Sequence, residues 1–437
     1  MQIILLSGGS GKRLWPLSNE VRSKQFVKLL KDADGNYESM VQRVYRQISS
    51  VGRSAGITIA TSKSQVSAIK NQLNDRVNVC VEPCRRDTFP AILLACAYLR
   101  DIEKVPLDEE VAVCPVDPYV DNEFYEAVID LGRTIKMHPS GLVLMGITPT
   151  KPSEKFGYII PQSNEVVSKV LCFKEKPDTQ HAKEYIRQGA LWNAGVFGFR
   201  LGYLLEKARQ LVNYSTYDDL LSRYETLPKI SFDFAVVEKE PEILVTRYSG
   251  QWKDVGTWSM MCDVMQEDTK GLVIRDESCI NTHVINELPR PVIVLGTRNL
   301  IVVSGEDGIL VADKQACDSL KKHVEKVNAD VWVAEKSWGE FHVLHMENQT
   351  LVARIEMTAG ANMTYHSHEK RNEAWTVVTG HGSVILDGQK HAIYPGSTVT
   401  IPAGTKHKIM ARTNMVLIET QIGESILTED KIKYAEE

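Results

Sequence analysis

From residue 2 to about residue 260 the chain repeats one alternation. A short, continuously apolar run gives way to a polar or glycine-rich break, then to a stretch with helical spacing. The runs are QIILLSG, GITIAT, VNVCVEP, EEVAVCPVD and GLVLMGI. Runs apolar on both sides of the pleat suit strands buried on both faces, which is the environment of a parallel sheet. TFPAILLACAYLRDIEK, between two of them, carries the apolar face of a helix. The alternation predicts an α/β fold that binds ligands at the carboxyl ends of its strands.

The pattern changes near residue 271. GLVIRDESCINTHVI and RPVIVLGTRNLIVVSGEDGILVADK read as short strands with little helix between them, and QACDSLKKHVEKV as one helix. From 331 to 425 short strands alternate with Gly, Pro and Asn turns, an all-β pattern. We expect three domains: 1–265, α/β and Rossmann-like; 266–330, a short β-rich, β-helix-like linker with a helix; and 331–437, a β-barrel. The 437 residues exceed what one core supports, in keeping with this division.

Composition narrows the function classes. A net charge of −5 argues against a nucleic-acid partner. No run of about 18 apolar residues is present, so no membrane span is expected. The N-terminus reads as a strand without a basic leader, so no signal peptide is expected either. None of the eight cysteines forms a CxxC pair, and most sit in apolar runs. They read as buried thiols of a cytoplasmic protein.

The first strand runs into GGSGKRLWPLS. Gly8, Gly9 and Gly11 let backbone approach a ligand and turn N–H groups toward phosphate oxygens, and Lys12 and Arg13 add charge. The loop is neither a Walker loop nor GxGxxG. A structural turn is an equal reading of it. Lys24, in RSKQF, adds a further cation. Asp117, in VCPVDPYV, follows an apolar strand, and Asp254 sits in WKDVGTW. Two carboxylates near phosphates are what Mg²⁺ needs. For either one alone a turn or cap is the commoner role, and 137 positions separate them.

In order the chain carries GGSGKRLWPLS, RSKQF, VEPCRRDTFPAI, CPVDPYV, GITPTKPSEKFGYI, FKEKPD, WNAGVFGF, SFDFAVVEK and WKDVGTW. This series resembles the mannose-1-phosphate guanylyltransferases, in particular the long bifunctional type with a C-terminal type II phosphomannose isomerase (cupin) domain. The resemblance implies GTP and mannose 1-phosphate as substrates and GDP-mannose and pyrophosphate as products. It implies catalytic roles for Arg13, Lys24, Asp117 and Asp254, with Asp117 and Asp254 holding Mg²⁺. Gly8, Gly9, Gly11, Lys12, Glu82, Arg86 and Asp87 would bind nucleotide, and Gly157, Glu175, Lys176 and Asn193 the sugar phosphate. A homo-oligomer is expected. Without the resemblance, Glu175 and Lys176 read as solvated surface and Asn193 as a turn residue.

The chain departs from the family pattern at three places. It has Ser23-Lys24-Gln25-Phe26 for Pro-Lys-Gln-Phe, Arg85-Arg86-Asp87-Thr88 for Gly-Arg-Asn-Thr, and Val116-Asp117-Pro118 for Ser-Asp-His. Asp87 lies in a nucleotide-contact motif. A carboxylate there can accept from guanine N–H groups, and the change leaves base choice open.

Residues 360–380, GANMTYHSHEKRNEAWTVVTG, and 396–407, GSTVTIPAGTKH, match the two cupin motifs, with Ala411 in place of the usual Asn. His366 and His368 alternate on a strand and share a face. With Glu373 and His407 they offer a site for Zn²⁺ or another divalent transition metal. The type II isomerases resemble His-x-His-Arg-x-Glu-His-Trp; here two more residues separate His368 from Glu373, and Ala374 replaces the second-site His. Isomerisation of mannose 6-phosphate and fructose 6-phosphate is therefore an open expectation. The alternative is a nucleotidyltransferase of altered base or sugar choice, with a non-catalytic cupin used for sugar binding or oligomerisation.

Overall fold

The computed structural model describes residues 1–9, 11–19, 21–52, 54–137, 141–326, 332–424, 426 and 430–435. The chain divides into two compact units. One comprises Met1–Ser10, Gln25–Val66 and Leu73–Gln266; the other comprises Gly11–Lys24, Ser67–Gln72 and Glu267–Glu437. The boundary expected near 330 falls on 327–331, outside the described residues.

The first unit is built on a nine-stranded sheet. Its strands lie in the order Asn78–Glu82, Gly56–Ser62, Gln2–Ser7, Glu110–Pro115, Leu191–Arg200, Leu142–Ile147, Ile243–Tyr248, Val167–Lys174 and Tyr158–Pro161. The five apolar runs are all strands of this sheet. Gln2–Ser7 pairs in parallel with Gly56–Ser62 on one side and Glu110–Pro115 on the other. Ile3, Ile4 and Leu5 are buried on both faces, which is why the run carries no polar alternation. The sheet is mixed, because Leu191–Arg200 inserts antiparallel between Glu110–Pro115 and Leu142–Ile147. Strand order reverses at Gln2–Ser7, where the chain leaves to one side and returns on the other. The crevice beyond the carboxyl ends of Gln2–Ser7 and Glu110–Pro115 is where such a sheet receives ligands.

The helix Thr88–Asp101 is buried almost all round, from Phe89 to Leu99. Its apolar residues are not confined to one stripe because the strands and further helices cover it together. Among the described residues no helix is long and apolar enough to cross a membrane. All eight cysteines are free; Cys172 is exposed, against the expectation of buried thiols, because it lies on the half-solvated strand Val167–Lys174.

In the second unit, short parallel strands precede a barrel. Thr269–Lys270, His283–Asn286 and Leu300–Gly305 are parallel neighbours, and Gly308–Asp313 returns antiparallel. The barrel pairs a six-stranded sheet, running from Val333–Lys336 to Thr398–Ile401, with a five-stranded one. The five strands are Gln389–Ile393, Gly382–Leu386, His407–Ala411, His366–His368 and Lys431–Lys433. Ile355, Trp375, Ile401, Ile409 and Leu417 fill the space between the sheets.

The segment Gly11–Lys24 is tied into this unit by polar contacts. Arg22 Nη1 donates to Glu287 Oε2 at 3.1 Å, while Lys270 Nζ holds the other oxygen at 2.9 Å. Asn19 Nδ2 donates to Asp307 Oδ2 at 2.7 Å. Nearby, His342 faces Glu306 through Nδ1 at 3.1 Å and Glu340 through Nε2 at 2.9 Å. Hydrogen bonds to these two carboxylates push its pKa up to about 9. A histidine raised in the folded state adds stability that is fully present below its ordinary pKa of about 6.5 and is lost as pH rises through 9. His342→Gln therefore lowers the melting temperature at pH 6, and the gap from wild type closes by about pH 10. A gap independent of pH would show that the imidazole is not charged here.

Candidate active site

Gly8 and Gly9 leave the central strand at its carboxyl end. A side chain at either would meet nothing within 4 Å, and Gly9 has a φ of 148°. They line a cavity of about 320 Å³ with Leu6, Glu82, Arg85, Asp87, Thr88 and Asp117. Gly11 has a different reason to be glycine: a Cβ there would collide with the Asn19 carbonyl oxygen. Lys12 and Arg13 lie in the 3-10 turn Gly11–Leu14, and Lys24 opens another, Lys24–Phe26. All three belong to the second unit.

Asp87 caps the helix Thr88–Asp101, its Oδ1 accepting from the Thr88 N–H at 2.8 Å. It does so with φ at 70° and ψ at −176°, a region non-glycine residues avoid at a cost of about 1–3 kcal/mol. Asp87 is part of the cavity wall. Glu82 sits beside it; burial raises its pKa, and its Oε2 accepts from Tyr224 at 2.6 Å. Of the paired arginines, Arg85 lines the cavity and donates to the Gly9 carbonyl at 3.0 Å. Arg86 instead donates to the Glu225 carbonyl. Arg85 was not selected from the sequence, because the family pattern Gly-Arg-Asn-Thr sets its arginine on Arg86.

A second cavity, of about 200 Å³, shares Pro115 and Asp117 with the first. It is lined further by Lys155, Gly157, Glu175, Asn193, Trp252 and Asp254. The strand Trp252–Asp254 pairs antiparallel with Pro118–Val120, setting Asp254 opposite Pro118 and hence beside Asp117. Phe156, Trp192 and Trp252 form an aromatic wall, with ring centroids 4.9–6.4 Å apart. A side chain on Gly157 would come within 2.6 Å of Glu175 Oε2, so the glycine lets that carboxylate approach the floor. Glu175 pairs with Lys176 at 2.6 Å, and Lys176 adopts a φ of 43°.

Asp233 is the residue sequence reasoning missed. Its Oδ1 accepts from Asn193 Nδ2 at 2.7 Å, while Asn193 Oδ1 accepts from the Gly195 N–H at 3.1 Å. Burial, then the Glu175 carboxylate, push the Asp233 pKa up to about 6. It stands in SFDFAVVEK, a motif of the series, but short helices with an aspartate are common enough to hide it.

The barrel assembles a second site. His366, His368 and His407 are buried, and ligating nitrogens from the three lie within 4.8 Å of one another. His366 and His407 are directly opposed across the antiparallel pair of their strands. Each Nδ1 faces a backbone carbonyl: Thr364 at 2.6 Å, Asp430 at 3.3 Å and Thr405 at 2.9 Å. With Nδ1 as donor, the lone pairs sit on the Nε2 atoms, the arrangement typical of metal-ligating histidines. His407 Nε2 is buried without a hydrogen-bond partner. Burial pushes the pKa of His366 down to about 3 and of His368 to about 4, so both are neutral, as ligation requires. The donor set fits a divalent transition metal.

Glu373 reaches this centre from the other sheet, 3.2 Å from His368 Nε2 and 3.4 Å from His407 Nε2. Against the opposing effect of burial, the His407 contact and the charges of His368, His407 and Arg371 hold its pKa down to about 2. Arg371 also enters, its Nη2 2.9 Å from His368 Nε2 and its Nε 3.0 Å from Glu373 Oε1.

With this geometry in hand, known proteins give a consistent picture. The nucleotidyl transferase family profile matches residues 2–271. The profile of the C-terminal domain of mannose-6-phosphate isomerase matches 321–437. The xanthan biosynthesis protein XanB of Xanthomonas campestris is 28% identical, over 99% of this chain and 97% of its own length. The mannose-1-phosphate guanylyltransferase ManC of Salmonella typhimurium is 28% identical, over 99% and 96%. Among solved structures, mannose-1-phosphate geranyltransferase from Thermus thermophilus is 27% identical with a TM-score of 0.59, covering 74% of this chain and 98% of that one.

The raised pKa of Asp233 carries a stability prediction. A carboxyl raised in the folded state is favoured protonated, so stability falls as pH rises from about 4 through 6. Asp233→Asn removes that penalty and raises the melting temperature at pH 8 relative to wild type, with little gain at pH 4. An equal shift at both pH values would place the Asp233 carboxylate outside this buried pair.

Proposed function

The chain belongs to the nucleotidyl transferase family, and from that premise we propose that it transfers GMP from GTP to mannose 1-phosphate, yielding GDP-mannose and pyrophosphate. The observation that carries the reading is the convergence of Asp117 and Asp254 on one cavity wall, with Asp117 shared by the neighbouring glycine-lined cavity. Relatives named for this activity match over nearly the whole chain.

In this reading the nucleotide occupies the cavity of Gly8, Gly9, Glu82 and Asp87. The free carboxylate oxygens of Glu82 and Asp87 accept from the donor edge of guanine. Mannose 1-phosphate occupies the second cavity, its hydroxyls facing Glu175, Asn193 and Asp233 and its phosphate facing Lys176. A phosphate oxygen of mannose 1-phosphate attacks the α-phosphorus of GTP, the bond to the β-phosphate oxygen breaks, and pyrophosphate leaves with that electron pair. No proton need move, so catalysis is positioning plus charge stabilisation. Arg13, Lys24 and Lys12 are assigned to the triphosphate. Asp117 and Asp254 would hold Mg²⁺, which when bound neutralises phosphate charge. Both substrates imply a cytoplasmic enzyme, and we expect a homo-oligomer without nucleic-acid or membrane partners.

For the barrel we propose a bound Zn²⁺ or other divalent transition metal held by His366, His368 and His407, with Glu373 beside it. Isomerase turnover is expected to be weak or absent. Arg371 engages His368 Nε2, and Ala374 stands where the isomerase pattern has a histidine.

Two experiments test these readings. Pyrophosphate release is measured over a panel of nucleoside triphosphates and sugar 1-phosphates. GTP with mannose 1-phosphate should be the productive pair, chelator should abolish turnover, and Asp117→Ala or Asp254→Ala should each lose about 10²–10³-fold in rate. Folded variants within a few-fold of wild type would sink the two-carboxylate site, and activity confined to another nucleotide would redirect the base assignment to Asp87. For the barrel, metal analysis should return about one transition-metal ion per chain, falling sharply in His366→Ala, and mannose 6-phosphate formation from fructose 6-phosphate should be slow. A metal-free protein would remove the centre.

A further inference from the structure

Between Glu82, which ends the strand Asn78–Glu82, and Asp87, which caps the helix Thr88–Asp101, the chain sets three charged side chains on one cavity. Glu82 and Asp87 are acceptors, and Arg85 is a donor. Each is half engaged by protein. Glu82 Oε2 accepts from Tyr224, Asp87 Oδ1 accepts from the Thr88 N–H, and Arg85 Nη2 donates to the Gly9 carbonyl. Among the described residues Glu82 Oε1, Asp87 Oδ2 and the Nε and Nη1 groups of Arg85 have no hydrogen-bond partner. Arg85 forms no ion pair with either acid there, although its charge is felt at Glu82 and opposes the rise that burial causes. Leu6, Ala60 and Ala91 add apolar wall to the same cavity.

Apolar surface suits the flat faces of a base, and a few placed polar groups then decide which base fits. Two carboxylates and a guanidinium are a demanding set. Guanine offers neighbouring donors, N1–H and the 2-amino group, on one edge and neighbouring acceptors, O6 and N7, on the next. Adenine sets an amino donor beside N7, where a guanidinium would meet it donor to donor. The pyrimidines have no such acceptor pair in the groove pattern that arginine reads. The forked guanidinium matches O6 and N7 together. Arg85 and Asp87 also stand where the family pattern has glycine and asparagine. The two departures bring opposite charges to one cavity, so the added carboxylate does not leave it more negative toward a nucleotide.

We infer that Arg85 is a base-selecting residue, donating to O6 and N7 of guanine while Glu82 and Asp87 accept from N1–H and the 2-amino group. The hydrogen bond to Gly9 braces the guanidinium against the glycine loop, which lowers the ordering cost of presenting it to a base. The inference deepens the GTP reading above and rests on it.

The test compares GTP with 7-deaza-GTP, which carries C–H in place of N7, and with ITP, which lacks the 2-amino group. Full-length wild type and Arg85→Gly are used; Arg85 is exposed, so the variant keeps its fold. Binding is measured by calorimetry without mannose 1-phosphate, and kcat/KM with it. The wild type should bind 7-deaza-GTP about tenfold or more weakly than GTP, the cost of one charge-assisted hydrogen bond. Arg85→Gly should bind GTP about tenfold or more weakly than wild type and treat GTP and 7-deaza-GTP alike. Both proteins should disfavour ITP, because Glu82 and Asp87 are unchanged. The ratio between GTP and 7-deaza-GTP is what a merely structural arginine would not move: a loosened glycine loop, or a lost contact to phosphate, weakens both nucleotides equally. A wild-type ratio near one, a ratio kept in Arg85→Gly, or an absent ITP penalty in the wild type overturns the proposal. The expected binding ratios without transfer to mannose 1-phosphate would fail the transferase reading alone. Transfer from GTP with the ratio unmoved would fail this inference alone.

Discussion

The three-residue pairing between Trp252–Asp254 and Pro118–Val120 is the contact on which the transferase unit's chemistry depends. A parallel sheet by itself provides a crevice, strand ends and backbone N–H groups at the place where strand order reverses. It delivers one carboxylate there, Asp117, because that residue follows the strand Glu110–Pro115. The second has to come from a part of the chain 137 positions later. The pairing sets Asp254 opposite Pro118, while Trp252 packs on Phe156 at 5.3 Å and both line the second cavity. One short ladder thus fixes an electrostatic feature and a steric one together. Asp117 lines both cavities and Asp254 the second, so of the two acids only Asp117 stands where the cavities adjoin.

What could be read from the sequence, and what could not, follows from the range of each interaction. The five apolar runs were legible because burial on both faces leaves no polar alternation, and each is a strand. The helix Thr88–Asp101 was legible for the same reason. The antiparallel insertion of Leu191–Arg200 was not, since a buried strand reads alike in either direction. Site residues divide in the same way. Gly8, Gly9, Asp117 and the histidines were found because local spacing or position marks them. Asp233 was missed because its importance lies in one hydrogen bond to Asn193 and in proximity to Glu175, both long-range. Arg85 and Arg86 are adjacent and chemically identical, and only the fold turns one toward Gly9 and the other toward Glu225. Gly11 shows the converse, a glycine read as part of a phosphate cradle whose missing side chain is demanded by the Asn19 carbonyl.

Burial moves pKa values in opposite directions at the two sites. The transferase unit buries Asp233 and sets it near the Glu175 carboxylate, and both effects raise its pKa. In the barrel, burial favours the neutral form of His366 and His368, the form that ligation requires. Backbone carbonyls contributed by their own loops face Nδ1 of His366 and His407.

Arg371 complicates that arrangement in an instructive way. Its guanidinium spans Glu373 and His368, donating to an atom whose lone pair a metal would use. His368 Nε2 is engaged by Arg371 and His407 Nε2 faces Glu373 Oε2 at 3.4 Å, so two of the three nitrogens already meet charged neighbours. Arg371 opens the strand Arg371–Thr379 two residues from Glu373 on the same face, the Arg-x-Glu spacing of the isomerase pattern; the two added residues, Glu369 and Lys370, lie before it, with their N–H groups donating to Asp430. Arg371 is thus an internal cation placed to compete with a metal for the same carboxylate and imidazole.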